Sequence, residues 1–465
     1  MRRSARVVTA AAAGTFIEWY EYALYAFAAG LVIAPLFFAE AGSFAVLATF
    51  ATFAVGFAAR PLGGIVLGAA GDRWGRRPVL VFSILLMGVA TTAIGLLPSY
   101  ATIGVWAPIL LVLLRLVQGF GAGAELGAAM IFVNESTPRR NKAFKGSFLN
   151  VGAILGSTSA LLVLTILSST LTPTQFLSWG WRLPFLFAAV LTVVCVLLRR
   201  KLDETPEFRR VEQERRDGRA DRAHLNPFRQ LAVAFRDDPR NFAAAFLMPC
   251  ALSIGGYIAQ VFGINYLKTA VGLSATQALT ATLIMMLVGV PALIFWGWLS
   301  DRIGAKKVLY IGSILGIPIA FGYFLLAQTG NFGLVVLASC LLWCFTYSCC
   351  SSTQMVLMPP LFRPQYRGSG MISARELQGG VVAGPAPLIA GALALALDGA
   401  PWLVAGFIAL GQVLTIAGMI LARPVLSQRE IDETSALRGL HPTVDASVLD
   451  LEGGVTEQVP DPSRP

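Results

Sequence analysis

Charge is scarce in this chain. Only 13% of its 465 residues are Asp, Glu, Lys or Arg, while 56% are hydrophobic; ordinary soluble chains carry about 25% charged residues. A soluble protein of this length could not hide so much apolar surface, so the solvent is lipid. Histidine is scarcer still. His224 and His441 are the only two, and both fall in polar segments, so no imidazole is placed for catalysis within the apolar runs. The six cysteines (Cys195, Cys250, Cys340, Cys344, Cys349, Cys350) lie in apolar runs. With no disulfide framework and no CxxC pair at metal spacing, they read as small apolar filler and no metal site is expected. There is no Walker-type phosphate loop, so ATP is not expected to drive this chain. The glycine-rich run from Gly119 to Gly127 misses G-x-G-x-x-G spacing and lies within an apolar run. Enzyme chemistry is therefore not expected, and neither catalytic residues nor cofactors are nominated.

What is abundant is apolar runs of membrane length. A span needs about 20 apolar residues, and twelve candidates appear, at 12–37, 44–70, 79–98, 104–134, 146–170, 182–198, 242–267, 275–299, 308–328, 332–361, 368–396 and 401–422. The first is too long for a cleaved leader and contains Glu18 and Glu21. The net charge of +10 is explained by topology. With a cytoplasmic N-terminus, every Lys and Arg outside the spans except Arg182 and Lys268 falls on the cytoplasmic side, as the positive-inside rule demands. Both termini are then cytoplasmic, and no nucleic-acid partner is needed to account for the basic balance. The expected organisation is an N-terminal six-helix bundle (1–198), a cytoplasmic central loop dense in both signs of charge (199–240), a C-terminal six-helix bundle (241–422) and a polar cytoplasmic tail (423–465), largely disordered.

A repeat supports the two halves. Gly71-Asp72-Arg73-Trp74-Gly75-Arg76-Arg77 and Ser300-Asp301-Arg302-Ile303-Gly304-Ala305-Lys306-Lys307 carry the same Asp-Arg-x-Gly turn, 229 residues apart, each wedged between two apolar runs. Lys145-Gly146 and Arg367-Gly368 likewise open the fifth and eleventh spans at a similar offset. Two six-helix halves around a midplane solute site are a transporter architecture.

With these motifs the chain resembles the major facilitator superfamily, and within it the metabolite:proton symporter group. The Asp-Arg-x-Gly turns match the superfamily's loop between helices two and three and its echo between eight and nine. The narrower group is suggested by Gly14-Thr15-Phe16-Ile17-Glu18-Trp19-Tyr20-Glu21-Tyr22, by Arg60-Pro61-Leu62-Gly63-Gly64 and by the fourth-span run from Arg115 through Gln118, Gly119 and Gly123 to Glu125. Trp179-Gly180-Trp181-Arg182-Leu183-Pro184-Phe185 and Glu204-Thr205-Pro206-Glu207-Phe208 complete the set. Three departures stand out: Glu21 where the group more often has Asp, Gly123-Ala124-Glu125 in place of Gly-Gly-Glu, and Ser373-Ala374-Arg375-Glu376 in the eleventh span. The fifth span has Gly152-x-x-x-Gly156 but lacks the Gly-Pro signature that resembles drug/proton antiporters. The resemblance implies an all-α fold of twelve membrane helices in two pseudo-symmetric bundles.

Ionisable side chains inside a span cost roughly 2.5–3.5 kcal/mol each and are functional suspects by default. Here they are Glu18, Glu21, Arg60, Arg115, Glu125, Arg375 and Glu376. Glu21 with Arg115 is the leading proton-coupling pair, with Glu18 and Glu125 as further members; a permanent ion pair that only fixes packing is the alternative. Glu18 and Glu21, three residues apart, share a face with Tyr22 and Tyr25. Substrate-facing candidates are Arg375 as a carboxylate anchor, Arg60, Tyr25, Gln118, Asn150, Tyr257, Gln260, Trp343, Tyr347 and Gln354. Helix packing is the alternative for the aromatic stripe of the tenth span, and an internal or inter-helix bridge is the alternative for Arg375 and Glu376. Asp72, Arg73, Arg76, Arg77 and Glu135, with Asp301, Arg302 and Lys306 in the second half, are expected to form a cytoplasmic gate. The expected function is proton-coupled symport of a small carboxylate-bearing metabolite, an organic acid or a zwitterion, across the plasma membrane. The partners are solute, protons and lipid, and the protein is monomeric. A proton-driven exporter or a non-transporting sensor are the alternatives.

Overall fold

The computed structural model describes residues 2–74, 76–123, 142–200, 235–236, 238–362, 367–397 and 399–425. Twelve long helical segments run through them. We number them α1 (2–37), α2 (Ala45–Trp74), α3 (Arg76–Leu96), α4 (Trp106–Ala122), α5 (Lys142–Thr170), α6 (173–200), α7 (Pro239–Thr269), α8 (Ala275–Ile303), α9 (Ala305–Ala327), α10 (332–357), α11 (367–396) and α12 (Trp402–Leu421). Helices are the outcome because hydrocarbon offers backbone groups no partners, so each segment must satisfy its own. Several helices run past the apolar runs: α8 extends through Asp301 and Arg302, and α6 begins at Pro173 rather than 182. Hydropathy marks only the stretch in hydrocarbon, while the hydrogen-bond ladder continues into the headgroup region.

The Asp-Arg-x-Gly turn of the second half shows its physical basis. Gly304 closes α8 with φ +97°, a left-handed conformation that glycine adopts without steric cost. Lys306 and Lys307 then fall in the first turn of α9.

Within the first half α2 packs along α4, α3 along α6 and α1 along α5; within the second, α9 and α7 pack along α12 and α8 along α10. Glycine makes the closest of these contacts possible. A Cβ on Gly119 would overlap the Gly56 carbonyl, one on Gly123 the Arg60 carbonyl, and one on Gly156 the Phe16 carbonyl. The small-residue stripe of α4 is thus a backbone-to-backbone seam against α2. The halves meet where α2 lies along α11, α5 along α8 and α10, and α1 along α7.

Five helices carry a single π-helical turn: Ala29–Ile33 in α1, Phe176–Gly180 in α6, Ile258–Phe262 in α7, Cys344–Ser348 in α10 and Gly379–Ala383 in α11. The turns of α1 and α7 begin at residues 29 and 258, the same 229-residue offset that separates the two Asp-Arg-x-Gly turns. The backbone therefore repeats where the side chains have diverged. Large apolar side chains such as Val89, Leu96 and Ile420 are exposed, while Arg115, Gln118 and Gln412 are fully buried. The surface is dressed for lipid and the polar groups are kept for the interior.

Candidate functional site

Two buried polar clusters occupy the interior, and Tyr22 lies between them. The first is built on Arg60, one residue before the proline inside α2. Its Nε donates to Glu376 Oε2 of α11 at 3.2 Å, and its Nη2 donates to Glu18 Oε1 of α1 at 3.4 Å. All three side chains are almost fully buried. One guanidinium therefore joins a carboxylate of its own half to a carboxylate of the other. Its face also lies over the rings of Phe57 (5.4 Å) and Tyr22 (5.5 Å), which offsets part of its desolvation. A buried charge survives only with such partners; removing one is far more disruptive than the pair is stabilising.

Beside this bridge lies a cavity of about 70 Å³ between the halves. Its wall includes Arg60, Arg375, Glu376 and Gln378, with Trp19 and Asn150 from the first half and Tyr257, Tyr347, Ser351 and Gln354 from the second. The volume is well below the ~300–1,000 Å³ of clefts that enclose drug-sized ligands, so a solute larger than a few waters requires the wall to yield. Two of its contacts already join the halves: the Arg60–Glu376 pair, and Asn150 Nδ2 donating to the Ser351 carbonyl at 3.2 Å. Gln378, three residues after Arg375 and so on the same helix face, accepts from Ser253 Oγ at 3.2 Å. Its buried Nε2 faces the Cys250 thiol of α7, a weak acceptor, and makes no stronger hydrogen bond among the described residues.

The second cluster is centred on Arg115 in α4. Its Nη1 donates to Gln118 Oε1, its Nη2 to the Phe53 carbonyl at 3.4 Å, and its face lies 4.0 Å from the Tyr25 ring centre and 5.0 Å from that of Tyr22. Gln118 Nε2 donates onward to Thr91 Oγ1 at 2.7 Å, and Thr91 and Thr192 donate to the two oxygens of Glu21 at 3.2 and 3.1 Å. Each threonine hydroxyl also has its own i−4 carbonyl within reach, Met87 for Thr91 and Ala188 for Thr192.

The Glu21–Arg115 pair expected from sequence sits within this one cluster, joined through Gln118 and Thr91, whereas Arg60 pairs directly with Glu18 and Glu376. The physical reason is reach. Gln118, one helical turn after Arg115, fills the space between α4 and α1. Both groups are also walled off, with 1% and 0% of their surface exposed and neither on the cavity wall.

Of the substrate-facing candidates, Arg375, Arg60, Asn150, Tyr257, Tyr347 and Gln354 line the cavity. Tyr25, Gln118, Gln260 and Trp343 do not. Tyr25 bonds Thr52 beneath Arg115, Gln118 belongs to the Arg115 relay, and Trp343 is fully buried behind Tyr347, stacked on it at 4.0 Å and 9°. The aromatic stripe of α10 thus divides, Tyr347 toward the cavity and Trp343 toward the packing. Glu376, a functional suspect in the sequence weighed there only as a bridge partner, lies in the wall beside Gln378 and Trp19, which the sequence did not single out; the signal for Gln378 was an amide one turn beyond Arg375. Of the gate residues, Asp301 and Arg302 occupy the last turn of α8, where Arg302 lies 4.2 Å from the Trp298 ring centre. Lys306 is in the first turn of α9. Glu125, Glu135 and the side chains of Asp72, Arg73, Arg76 and Arg77 lie outside the described residues.

The family described as Major Facilitator Superfamily matches residues 11–384. The chain is 34% identical over 394 residues to the shikimate transporter of Escherichia coli (strain K12), covering 84% of this chain and 88% of that one. It is also 34% identical over 393 residues to the proline/betaine transporter of Salmonella typhimurium, covering 83% and 77%. Among solved structures it is similar to the xylose transporter XylE from E. coli in a partially occluded inward open conformation, with TM-score 0.69 at 17% identity over 90% of this chain and 98% of that chain. The nucleoside transporter NupG matches with TM-score 0.60 at 14% identity, covering 89% and 99%. At these identities the solved structures speak for the fold alone, a twelve-helix architecture.

Proposed function

The chain belongs to the Major Facilitator Superfamily, a family of multi-pass membrane transporters rather than enzymes, and we propose that it is a proton-coupled symporter for a small carboxylate-bearing metabolite. The observation that carries this reading is the cavity between the halves, whose wall holds the guanidinium of Arg375 and the side-chain amide of Gln378 on one face of α11. An arginine presents paired N–H donors at the spacing of a carboxylate's two oxygens, and Tyr257, Tyr347 and Gln354 can serve the hydroxyls or ring of a compact solute. Shikimate, proline and betaine, named for two of the similar transporters, each carry one carboxylate. The driving force is a proton gradient with no cofactor, in the plasma membrane, with both termini cytoplasmic and the protein monomeric. Purified protein in vesicles with an imposed pH gradient tests the reading. Labelled shikimate or proline should accumulate against its gradient when the interior is alkaline; uptake indifferent to the pH gradient would remove the coupling, and uptake of neither would remove the substrate class.

A further inference from the structure

The proposed symport needs a group that exchanges a proton where the solute binds, and Glu21 is walled off from the cavity. Glu376 is in its wall. Among the described residues, the charged side chains at this end of the cavity are Arg60 and Arg375 against Glu18 and Glu376, two of each sign. A monoanionic solute entering alone leaves a net negative charge in a low-dielectric site, which one proton cancels. The place where the proton goes is constrained by geometry. Arg60 is already shared, with Glu18 held by Nη2 and Glu376 by Nε. A solute carboxylate drawn in by Arg375 and Gln378 arrives beside the Arg60–Glu376 contact, and Glu376 is the partner contributed by the opposing half.

We infer that Glu376 is the proton-coupling residue, and that the solute carboxylate replaces it on Arg60. The exchange balances. The ion pair between Arg60 and Glu376 opens, one between Arg60 and the solute carboxylate forms, and a proton drawn from the outer aqueous phase passes to the Glu376 carboxylate. Release on the inner side runs the same steps in reverse, with the proton leaving alongside the solute. Because the Arg60–Glu376 pair also bridges α2 and α11, the exchange loosens the contact between the halves at the moment the site is filled. The groups facing Glu376 are Arg60 from α2, Glu18 and Tyr22 from α1, Tyr257 from α7, Tyr347 from α10 and its own neighbour Arg375. None of the other acids in that set both lines the cavity and belongs to the second half. The inference also selects a class by charge. A solute with a fixed cation would leave one net positive charge in the site once the proton is taken up, so the favoured solute is a monocarboxylate without a fixed cation, carried with one proton in an electroneutral step.

This inference rests on the symport reading, and its test separates the two. Spin labels at Leu62→Cys and Leu377→Cys, exposed positions on α2 and α11 close in sequence to the bridge, report the distance across that interface in the full-length chain with its six native cysteines replaced by alanine. With Glu376 intact the distance should lengthen when shikimate is added at fixed pH; with Glu376→Gln it should be long with and without shikimate. A distance that ignores shikimate in a protein that transports it, or one that responds to shikimate unchanged in Glu376→Gln, overturns the assignment. In vesicles the probes are shikimate and glycine betaine. Glu376→Gln should retain shikimate exchange while accumulation against the gradient falls to equilibration, and shikimate should be driven by a pH gradient but not by membrane potential alone. Full accumulation in Glu376→Gln, or uptake of shikimate driven by potential alone, overturns the inference and leaves symport standing. If the unmodified protein takes up neither probe, the symport reading falls, and the label distances still decide whether Glu376 controls the bridge.

Discussion

Substituting Arg60 by glutamine strips two buried carboxylates of a shared cation. Glu18 and Glu376 both contact Arg60, at 3.4 and 3.2 Å, with almost no solvent access. Removing one partner of a buried pair costs about 3–5 kcal/mol, and Arg60→Gln also forfeits the contacts with Phe57 and Tyr22. Glu376→Gln is milder: Arg60 keeps Glu18 as its counter-ion, so the loss is about 1–3 kcal/mol. The two changes must not add. Once Arg60 is gone, neutralising Glu376 removes one of two stranded carboxylates, so Arg60→Gln/Glu376→Gln should be more stable than Arg60→Gln alone, with a coupling of about 1–3 kcal/mol. Unfolding by sodium dodecyl sulfate in mixed micelles, followed by circular dichroism, resolves such differences, since 1.4 kcal/mol is about tenfold in an equilibrium constant. An Arg60→Gln protein as stable as the parent, or a double variant destabilised by the sum of its parts, would refute the bridge as the energetic link between the halves.

Other expectations follow from the same geometry. Arg375→Gln should raise the half-saturating concentration for a carboxylate solute by more than about 30-fold, from the 2–5 kcal/mol lost with one side of a desolvated charge pair; uptake kinetics check it. Gly119→Ala and Gly123→Ala should each destabilise by about 1–3 kcal/mol, because the added Cβ meets the carbonyls of Gly56 and Arg60. Gly322→Ala, with open space around its Cβ, should be neutral or stabilising by up to about 1 kcal/mol. Glu21→Gln should leave gradient-driven accumulation in place, since Glu21 is not on the cavity wall; loss of accumulation there with retained exchange would return the proton to the Arg115 relay. Outside the membrane spans, Tyr100 donates to Glu40 at 2.6 Å, and the carboxylate holds the phenol above its ordinary range. The contact therefore supports the fold below the ordinary tyrosine range and is lost as pH climbs through the raised value. Glu40→Gln should bring the Tyr100 titration down, as read by ultraviolet difference spectroscopy.

The fold was legible because lipid enforces it. Apolar length locates the helices, and the Asp-Arg-x-Gly turn needs a glycine such as Gly304 at the helix end. The halves repeat at an offset visible both in that turn and in the π turns at Ala29 and Ile258. The site was legible in its ingredients and less so in its pairings. Arg60, Glu18, Glu376 and Arg375 declare themselves as costly charges in hydrocarbon, yet which acid meets which base depends on how α2 lies along α11, a contact between residues 316 apart in sequence. Spacing within one helix places Glu21 on a face; it does not reveal that Gln118 will intervene before Arg115. Likewise the period of α10 groups Trp343 with Tyr347 on one stripe, and only the neighbouring helices decide which of the two meets the cavity.

The most direct measurement records proton and shikimate fluxes together in vesicles containing the unmodified protein, with the membrane potential clamped at zero. Coupled symport predicts that an imposed shikimate gradient draws protons inward against no proton gradient of their own, in a fixed ratio of one to one. Shikimate entry with no accompanying proton movement would contradict it.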